Sequence, residues 1–197
     1  MGSVCLILAA GIGGYVTWVL YGTGLETARA QEELRSGFVS SLDDEPVVVP
    51  PTAESNHPPL GSAVAEILIP KIDLDMIVVE GTGTEALKKG PGHYVETAMP
   101  WQDTGRVGIA GHRTTFLHPF QNLDDLDPGD PITLRTRHGR FDYEVTRVFV
   151  IPALGSGTVL DRTERPTLVL TTCHPLFSST ERLIVEANRL PVDTGTP

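Results

Sequence analysis

A series of short apolar segments, separated by turn-forming residues, begins near residue 63 and constrains the fold more than any other feature. The segments are rich in β-branched residues, which favour strands. Many short strands with turn-rich spacers predict an all-β barrel or sandwich that contains few helices. The predicted strands cover residues 63–70, 76–80, 107–111, 132–137, 140–151, 167–172 and 182–188, with short helices at 84–89 and 119–126.

An uncharged apolar run occupies residues 4–21, and the first charged side chain of the sequence is Glu26. The run is about as long as a helix that spans the hydrocarbon core of a bilayer. We therefore predict an N-terminal transmembrane helix over residues 1–24, with lipid as its partner. A cleaved signal peptide is the alternative, since residues 27–30 leave room for a cleavage site.

The segment over residues 25–62 is acidic and rich in proline, with the strings DDEP, PP and PPLG. Such a composition favours an extended chain over a packed core, although residues 26–34 are compatible with a short helix. We predict a stalk that holds a catalytic domain, residues 63–197, away from the membrane surface.

Charge and motif content exclude several classes of function. The chain has 25 acidic and 15 basic residues, a net charge of −10, and no run of basic residues. We therefore expect no nucleic-acid partner. The sequence also has no glycine-rich phosphate loop and no cysteine spacing typical of zinc sites, so we expect neither a cofactor nor a metal.

The sequence contains two cysteines, Cys5 in the apolar run and Cys173 in the predicted β-domain. We expect no disulfide between them, because one would lie in lipid and the other in a folded domain. An unpaired cysteine in an exported domain is either a reactive thiol or a small buried apolar residue. The count of cysteines leaves both interpretations of Cys173 open.

Three chemically active residues stand at the ends of predicted strands. His112 follows Gly-Ile-Ala-Gly, Cys173 closes Leu-Val-Leu-Thr-Thr-Cys, and Arg182 opens the next strand. A hairpin would make Cys173 and Arg182 neighbours. A nucleophilic thiol needs a nearby proton acceptor or cation, and a guanidinium can hold a carbonyl and stabilise the charge that develops on it.

These residues resemble the active-site motifs of sortases. The LTTC string at 170–173 is similar to the Leu-x-Thr-Cys element of that family, Gly-His at 111–112 to its histidine motif, and Arg182 to its arginine. The strings AGHRTT, LDDLDPGD, LTTCHP and RLIVEA resemble the actinobacterial class E subgroup in particular. The resemblance covers residues 63–190, together with the layout of anchor and stalk.

The resemblance implies a closed sortase-type β-barrel on the outer face of a Gram-positive membrane. Its implied activity is that of a cysteine transpeptidase, which cuts a Leu-Ala/Pro-x-Thr-Gly sorting signal between Thr and Gly. The partners implied are surface proteins with a C-terminal sorting signal and an amine of a peptidoglycan precursor. Cys173 would form the thioester, His112 would be the acid and base, and Arg182 the clamp, with Leu170 and Thr172 lining the substrate groove.

Val169 departs from the pattern, since many sortases have Thr there. No acidic calcium site resembling that of class A enzymes is visible, in agreement with the expectation that no metal is needed.

Other residues compete for the same roles. His174 is the rival base, but alternation along a continuing strand would turn it away from Cys173. Arg113 follows His112 and should face the other side, as an exposed cation. We also expect surface positions for His93, His118 and His138, and core packing for Trp101 and Tyr94.

Two alternatives to a sortase remain at the level of sequence. A differently folded cell-wall transpeptidase with a Cys/His pair lacks its usual Ser-His-Gly-x-x-x-Cys arrangement here. A non-catalytic β-domain for surface binding would bury Cys173 and place Arg182 in a salt bridge.

Overall fold

The structure is a computed structural model that describes residue 8 and residues 10–14, 22–42 and 58–191. Most of the predicted anchor therefore lies outside the described residues. Within these ranges, none of the helices combines the length and the apolar character that crossing a bilayer requires. The division of the chain into anchor, stalk and catalytic domain stays a prediction.

Eight strands of the described chain close into one barrel, in the order β1-β2-β3-β4-β7-β8-β6-β5. Neighbouring strands are antiparallel, except for the parallel pairs β2–β3 and β4–β7. The predicted all-β barrel is confirmed. The strands are β1 (Ala63–Ile69), β2 (Leu74–Glu80), β3 (Gly92–His93), β4 (Arg106–Ala110), β5 (Pro131–Thr136), β6 (Gly139–Pro152), β7 (Thr167–His174) and β8 (Glu181–Arg189).

The helices are few and mostly short, as predicted. Helix α1 (Thr23–Leu42) precedes the barrel, and the single turn α2 (Thr84–Leu87) follows β2. The helix predicted over 119–126 is reduced to one 3-10 turn, Leu123–Asp125. Further 3-10 turns at Pro70–Ile72 and Ser156–Leu160 were not predicted, because so short an element has no detectable periodicity.

The interior of the barrel is filled by side chains at alternate positions of each strand, because successive side chains point to opposite faces. On β5, for example, Ile132 and Leu134 are completely buried, whereas Arg135 lies outside. The same core cluster contains Leu168 and Leu170 of β7 and Leu183 and Val185 of β8. The alternation decides which side chains of each strand remain outside to form a site.

Helix α1 packs on the barrel because β3 is too short to pair with the whole edge of β2. The backbone of Ile77 lies on that open edge, and the side-chain amide of Gln31 takes the place of a strand. Its Oε1 accepts from Ile77 N at 2.7 Å, and its Nε2 donates to Ile77 O at 2.9 Å and to Lys89 O at 2.8 Å. The helix is therefore longer than the one predicted over residues 26–34, and it covers an exposed strand edge.

Two further contacts fasten α1. Thr27 is fully buried, and its hydroxyl donates to Lys88 O at 2.7 Å. Arg35 forms an ion pair with Asp75 at 2.7 Å and a short one with Glu66. Residues 43–57 of the predicted stalk lie outside the described residues.

Candidate active site

The parallel pairing of β4 and β7 brings the histidine segment, Gly111 and His112 after β4, beside Cys173 near the end of β7. The register runs from Arg106 opposite Thr167 to Ala110 opposite Thr171. One residue beyond β4, Gly111 N donates to Thr171 O at 3.1 Å. Continued by one more residue, the same offset places His112 next to Cys173.

Cys173 on β7 lies directly opposite Arg182 on β8. Directly opposed residues of an antiparallel pair have Cβ atoms about 5 Å apart and share one face. Their neighbours Thr172 and Leu183 are buried, so the pair of Cys173 and Arg182 lies on the outer face of the barrel. The hairpin expected between these two residues is present.

A cleft of about 350 Å³ contains both His112 and Cys173. The other lining residues are Arg113, Thr114, Thr115, Phe177, Ser178 and Ser179. They come from the loop after β4 and the loop between β7 and β8. Within the described residues, no group of three or more His, Cys, Asp or Glu side chains is placed to hold a metal ion.

Arg182 lies beside this cleft and is not among its lining residues. Its Nη1 donates to Ser179 O at 3.0 Å and to Glu181 O at 2.9 Å. Within the described part of the chain, its Nε and Nη2 make no hydrogen bond. The guanidinium therefore keeps one donor edge that a substrate carbonyl can occupy.

The imidazole of His112 is half-buried, and its ring centroid lies 4.9 Å from that of Phe116. Burial lowers the pKa of His112 below 6.5, because the charged ring is poorly solvated there. The neutral ring, which accepts a proton, is therefore favoured at neutral pH. Helix α1 contacts the same loop, since Thr23 Oγ1 accepts a weak hydrogen bond from Phe116 N at 3.4 Å.

Gly111 allows the close approach of the histidine segment to the core. A Cβ atom at this position would lie 2.5 Å from Cδ2 of Phe120, whose side chain is completely buried. Only a residue without a side chain fits between β7 and this ring.

Leu170 and Thr172 are not where the resemblance implied. Leu170 is 0% exposed within the core cluster, and Thr172 is 3% exposed, with its hydroxyl donating to Gly111 O at 2.8 Å. Both occupy alternate positions that point away from the face of Cys173. Neither side chain therefore lines the cleft, and Thr172 instead joins β7 to the histidine segment.

Arg113 was predicted to be an exposed cation, and this prediction is wrong. The residue is 4% exposed. Its Nη1 lies 2.6 Å from Nδ1 of His174, and its Nη2 forms an ion pair with Asp124 at 2.7 Å. The predicted rival base His174 is not among the residues that line the cleft.

The remaining histidines and aromatic residues have mixed outcomes. His93, predicted at the surface, is completely buried, because its cross-strand neighbour Glu80 holds Nδ1 at 2.9 Å. His118 is exposed, and His138 is half-buried against the ring of Trp101 at 4.1 Å. Polar type alone predicts exposure, so a buried histidine is found only once its partner is known.

Comparisons with known proteins point to one family. Residues 67–190 match the family model described as Sortase domain. The chain is 29% identical to Sortase D of Bacillus subtilis (strain 168), covering 93% of this chain and 96% of that protein. It is 35% identical to Sortase SrtE1 of Streptomyces coelicolor over 64% of this chain and 40% of that protein.

A solved structure of the Clostridium perfringens Sortase D5 transpeptidase superimposes with a TM-score of 0.72 at 27% sequence identity. The match covers 83% of this chain and 99% of that one. The barrel and the strands that hold the cleft are therefore similar in both proteins.

Proposed function

Because the chain belongs to the sortase family of cysteine transpeptidases, we propose that Cys173 attacks a C-terminal sorting signal and passes the protein to a cell-wall amine. The observation that carries this proposal is one outer-face arrangement: Cys173 is paired with Arg182 across two strands and shares a cleft with His112. The alternative of a differently folded Cys/His transpeptidase is wrong, since the fold is that of sortases.

Acylation begins when neutral His112 takes the proton of the Cys173 thiol. The sulfur then attacks the carbonyl carbon of Thr in the scissile Thr–Gly bond. The resulting tetrahedral intermediate collapses, the C–N bond breaks, and the imidazolium gives its proton to the leaving amine. The low pKa of His112 supports this role, because the neutral base is present at neutral pH.

Deacylation reverses the proton transfers with a different amine. The acceptor amine attacks the thioester carbonyl, and His112 removes a proton from it. The C–S bond breaks, an amide forms, and the Cys173 sulfur recovers its proton. No oxidant or cofactor is needed, since one amide bond is exchanged for another.

Arg182 is proposed to hold the carbonyl oxygen on which negative charge develops. The side chain is adjacent to Cys173, and its Nε and Nη2 are not used by hydrogen bonds within the described chain. Donors aimed at a developing oxyanion stabilise the transition state more than the ground state. The carbonyls of Ser179 and Glu181, which accept from Nη1, fix the orientation of the guanidinium.

The substrate proposed is a Leu-Ala-x-Thr-Gly signal, with Leu-Pro-x-Thr-Gly as the second choice. The strings shared with class E enzymes and the 35% identity to SrtE1 support the first. The match to Sortase D along nearly the full chain supports a wider test of signals. We further propose that the enzyme is anchored by its N-terminal helix and faces the outside of the membrane, where surface proteins and peptidoglycan precursors meet.

Mass spectrometry of the full chain incubated with signal-peptide libraries tests this function. We expect an acyl adduct on Cys173, with loss of the peptide that follows Thr. Cys173→Ala should abolish turnover and Cys5→Ala should not. Turnover by a folded Cys173→Ala variant would falsify the mechanism.

Arg182→Lys tests whether Arg182 holds the carbonyl oxygen, because the ammonium of lysine cannot reproduce the planar set of donors of a guanidinium. We expect kcat/KM to fall by about 100-fold or more, as for the loss of an oxyanion donor. Arg140→Lys is the matched control, since Arg140 is exposed and pairs with Asp142. Equal rates for the two variants would remove Arg182 from the catalytic set.

A further inference from the structure

A buried arginine next to the catalytic histidine has no part in the mechanism above. The side chain of Arg113 is 3% exposed. A buried cation is costly to desolvate unless it is paired and hydrogen-bonded. The contacts of this residue therefore indicate what the buried charge holds together.

Every nitrogen of the Arg113 guanidinium has a partner. Nη2 forms the ion pair with Asp124, and Nε donates to Gln121 O at 3.3 Å. Nη1 donates to Nδ1 of His174 at 2.6 Å and lies 3.5 Å from Cys173 O. Since a guanidinium can only donate, Nδ1 of His174 is the acceptor in this bond. The side chain thus links three segments: the loop after β4, the 3-10 turn and the end of β7.

These contacts lie where the β-ladder no longer holds the two catalytic residues together. The backbone bonds between β4 and β7 end with Gly111 N on Thr171 O. His112 and Cys173 follow that last bond. Arg113 directly follows His112 in the chain. Its side chain reaches the carbonyl of Cys173 and the ring of the next residue, His174.

We propose that Arg113 is a positioning residue, which fixes the distance between the His112 imidazole and the Cys173 sulfur by fastening both segments at the wall of the cleft. The inference rests on the proposed function of these two residues. Arg113 acts through the segments it joins and needs no contact of its side chain with substrate.

Geometry distinguishes this role from a simple charge effect. The planar guanidinium of Arg113 reaches Asp124, His174 and a backbone carbonyl at the same time, whereas the ammonium of lysine would reach fewer partners. Arg113→Lys therefore keeps the charge near the thiol and loses the link. A misplacement of about 1 Å can cost about 100-fold in rate.

The expected result for Arg113→Lys and Arg113→Met is a fall of about 10- to 100-fold in kcat with KM nearly unchanged. Asp124→Asn, which weakens one anchor at a half-exposed carboxylate, should lower kcat less, by about 3-fold. Arg140→Met, which also removes a guanidinium from a carboxylate pair, is the control and should match the wild type.

The test measures steady-state kinetics on a signal peptide, thermal melting, and the pH dependence of Cys173 alkylation by iodoacetamide, read by peptide mapping of the full chain. Both Arg113 variants should slow the alkylation of Cys173 relative to Arg140→Met, because a displaced His112 takes the thiol proton less well. A normal kcat for Arg113→Lys overturns the inference, since charge would then suffice.

Two outcomes separate this inference from the function on which it rests. If the wild type turns over no peptide, the proposed function fails, and an unchanged alkylation profile in the Arg113 variants overturns the positioning role as well. If an Arg113 variant does not fold, Asp124→Asn decides. A wild-type kcat in folded Asp124→Asn overturns the inference, and a lower kcat with an unchanged melting temperature supports it.

Discussion

Replacement of Gln31 tests whether helix α1 stabilises the barrel by completing the edge of β2. The change is Gln31→Met, which keeps the length of the side chain and removes its donor and acceptor. Three hydrogen bonds are lost, and two of them end on Ile77, which is completely buried. The backbone N–H and C=O of Ile77 would then have no partner on that edge.

The expected loss of stability follows from those two groups. A buried backbone group left without a partner costs about 1–3 kcal/mol. The Lys89 carbonyl is less buried, so water can replace its bond at little cost. Burial of the methionine side chain offsets part of the loss. We expect the free energy of unfolding to fall by about 3 kcal/mol, which lowers Tm by about 6–12 °C for a domain of this size.

The assay is urea unfolding followed by circular dichroism, with thermal melting as a second measurement. Glu32→Ala is the control, because Glu32 is the exposed neighbour of Gln31 on the same helix. Gln31→Glu should be at least as unstable as Gln31→Met, since a carboxylate would face two carbonyl oxygens. A Gln31→Met variant within about 0.5 kcal/mol of the control would refute the reasoning, because surface changes have effects of that size.

Two further predictions concern the histidine segment. Gly111→Ala should lower the free energy of unfolding by about 1–3 kcal/mol and reduce turnover, since the new Cβ atom would displace the Phe120 ring; Gly157→Ala, where nothing lies within 4 Å of the added atom, is the control. Burial lowers the pKa of His112 in the folded protein. Between that lowered pKa and about pH 6.5, the unfolded chain therefore binds more protons than the folded one. As a result, His112 reduces the stability of the fold as pH falls through this range. NMR titration should give a midpoint below 6.5 for the His112 ring, and His112→Gln should lose less stability in acid than the wild type; a midpoint above 6.5 contradicts the prediction.

The strands of the barrel could be predicted because burial leaves a local pattern in each of them. The predicted segments 167–172 and 182–188, for example, correspond to β7 and β8 with ends that differ by no more than two residues. The two-residue strand β3 has no such pattern and was missed. Its shortness exposes the edge of β2, and a glutamine on a helix predicted to belong to a stalk completes that edge.

The substrate-groove prediction could have been improved from the sequence alone. Strand alternation, which turns His174 away from Cys173, turns Thr172 away from it as well. Both neighbours of an outward-facing residue on a strand must point inward. The resemblance placed Thr172 correctly in the motif, and only its burial showed that the side chain joins two strands.

The sequence alone determined which residue types stand at the ends of strands: a thiol, an imidazole and a guanidinium at positions 173, 112 and 182. The tertiary structure decided which of these ends meet, because closure of the barrel sets β4 parallel to β7 and β8 antiparallel to it. It also decided that Arg113 and His93 are buried, since a polar side chain is buried only where distant segments supply its hydrogen-bond partners.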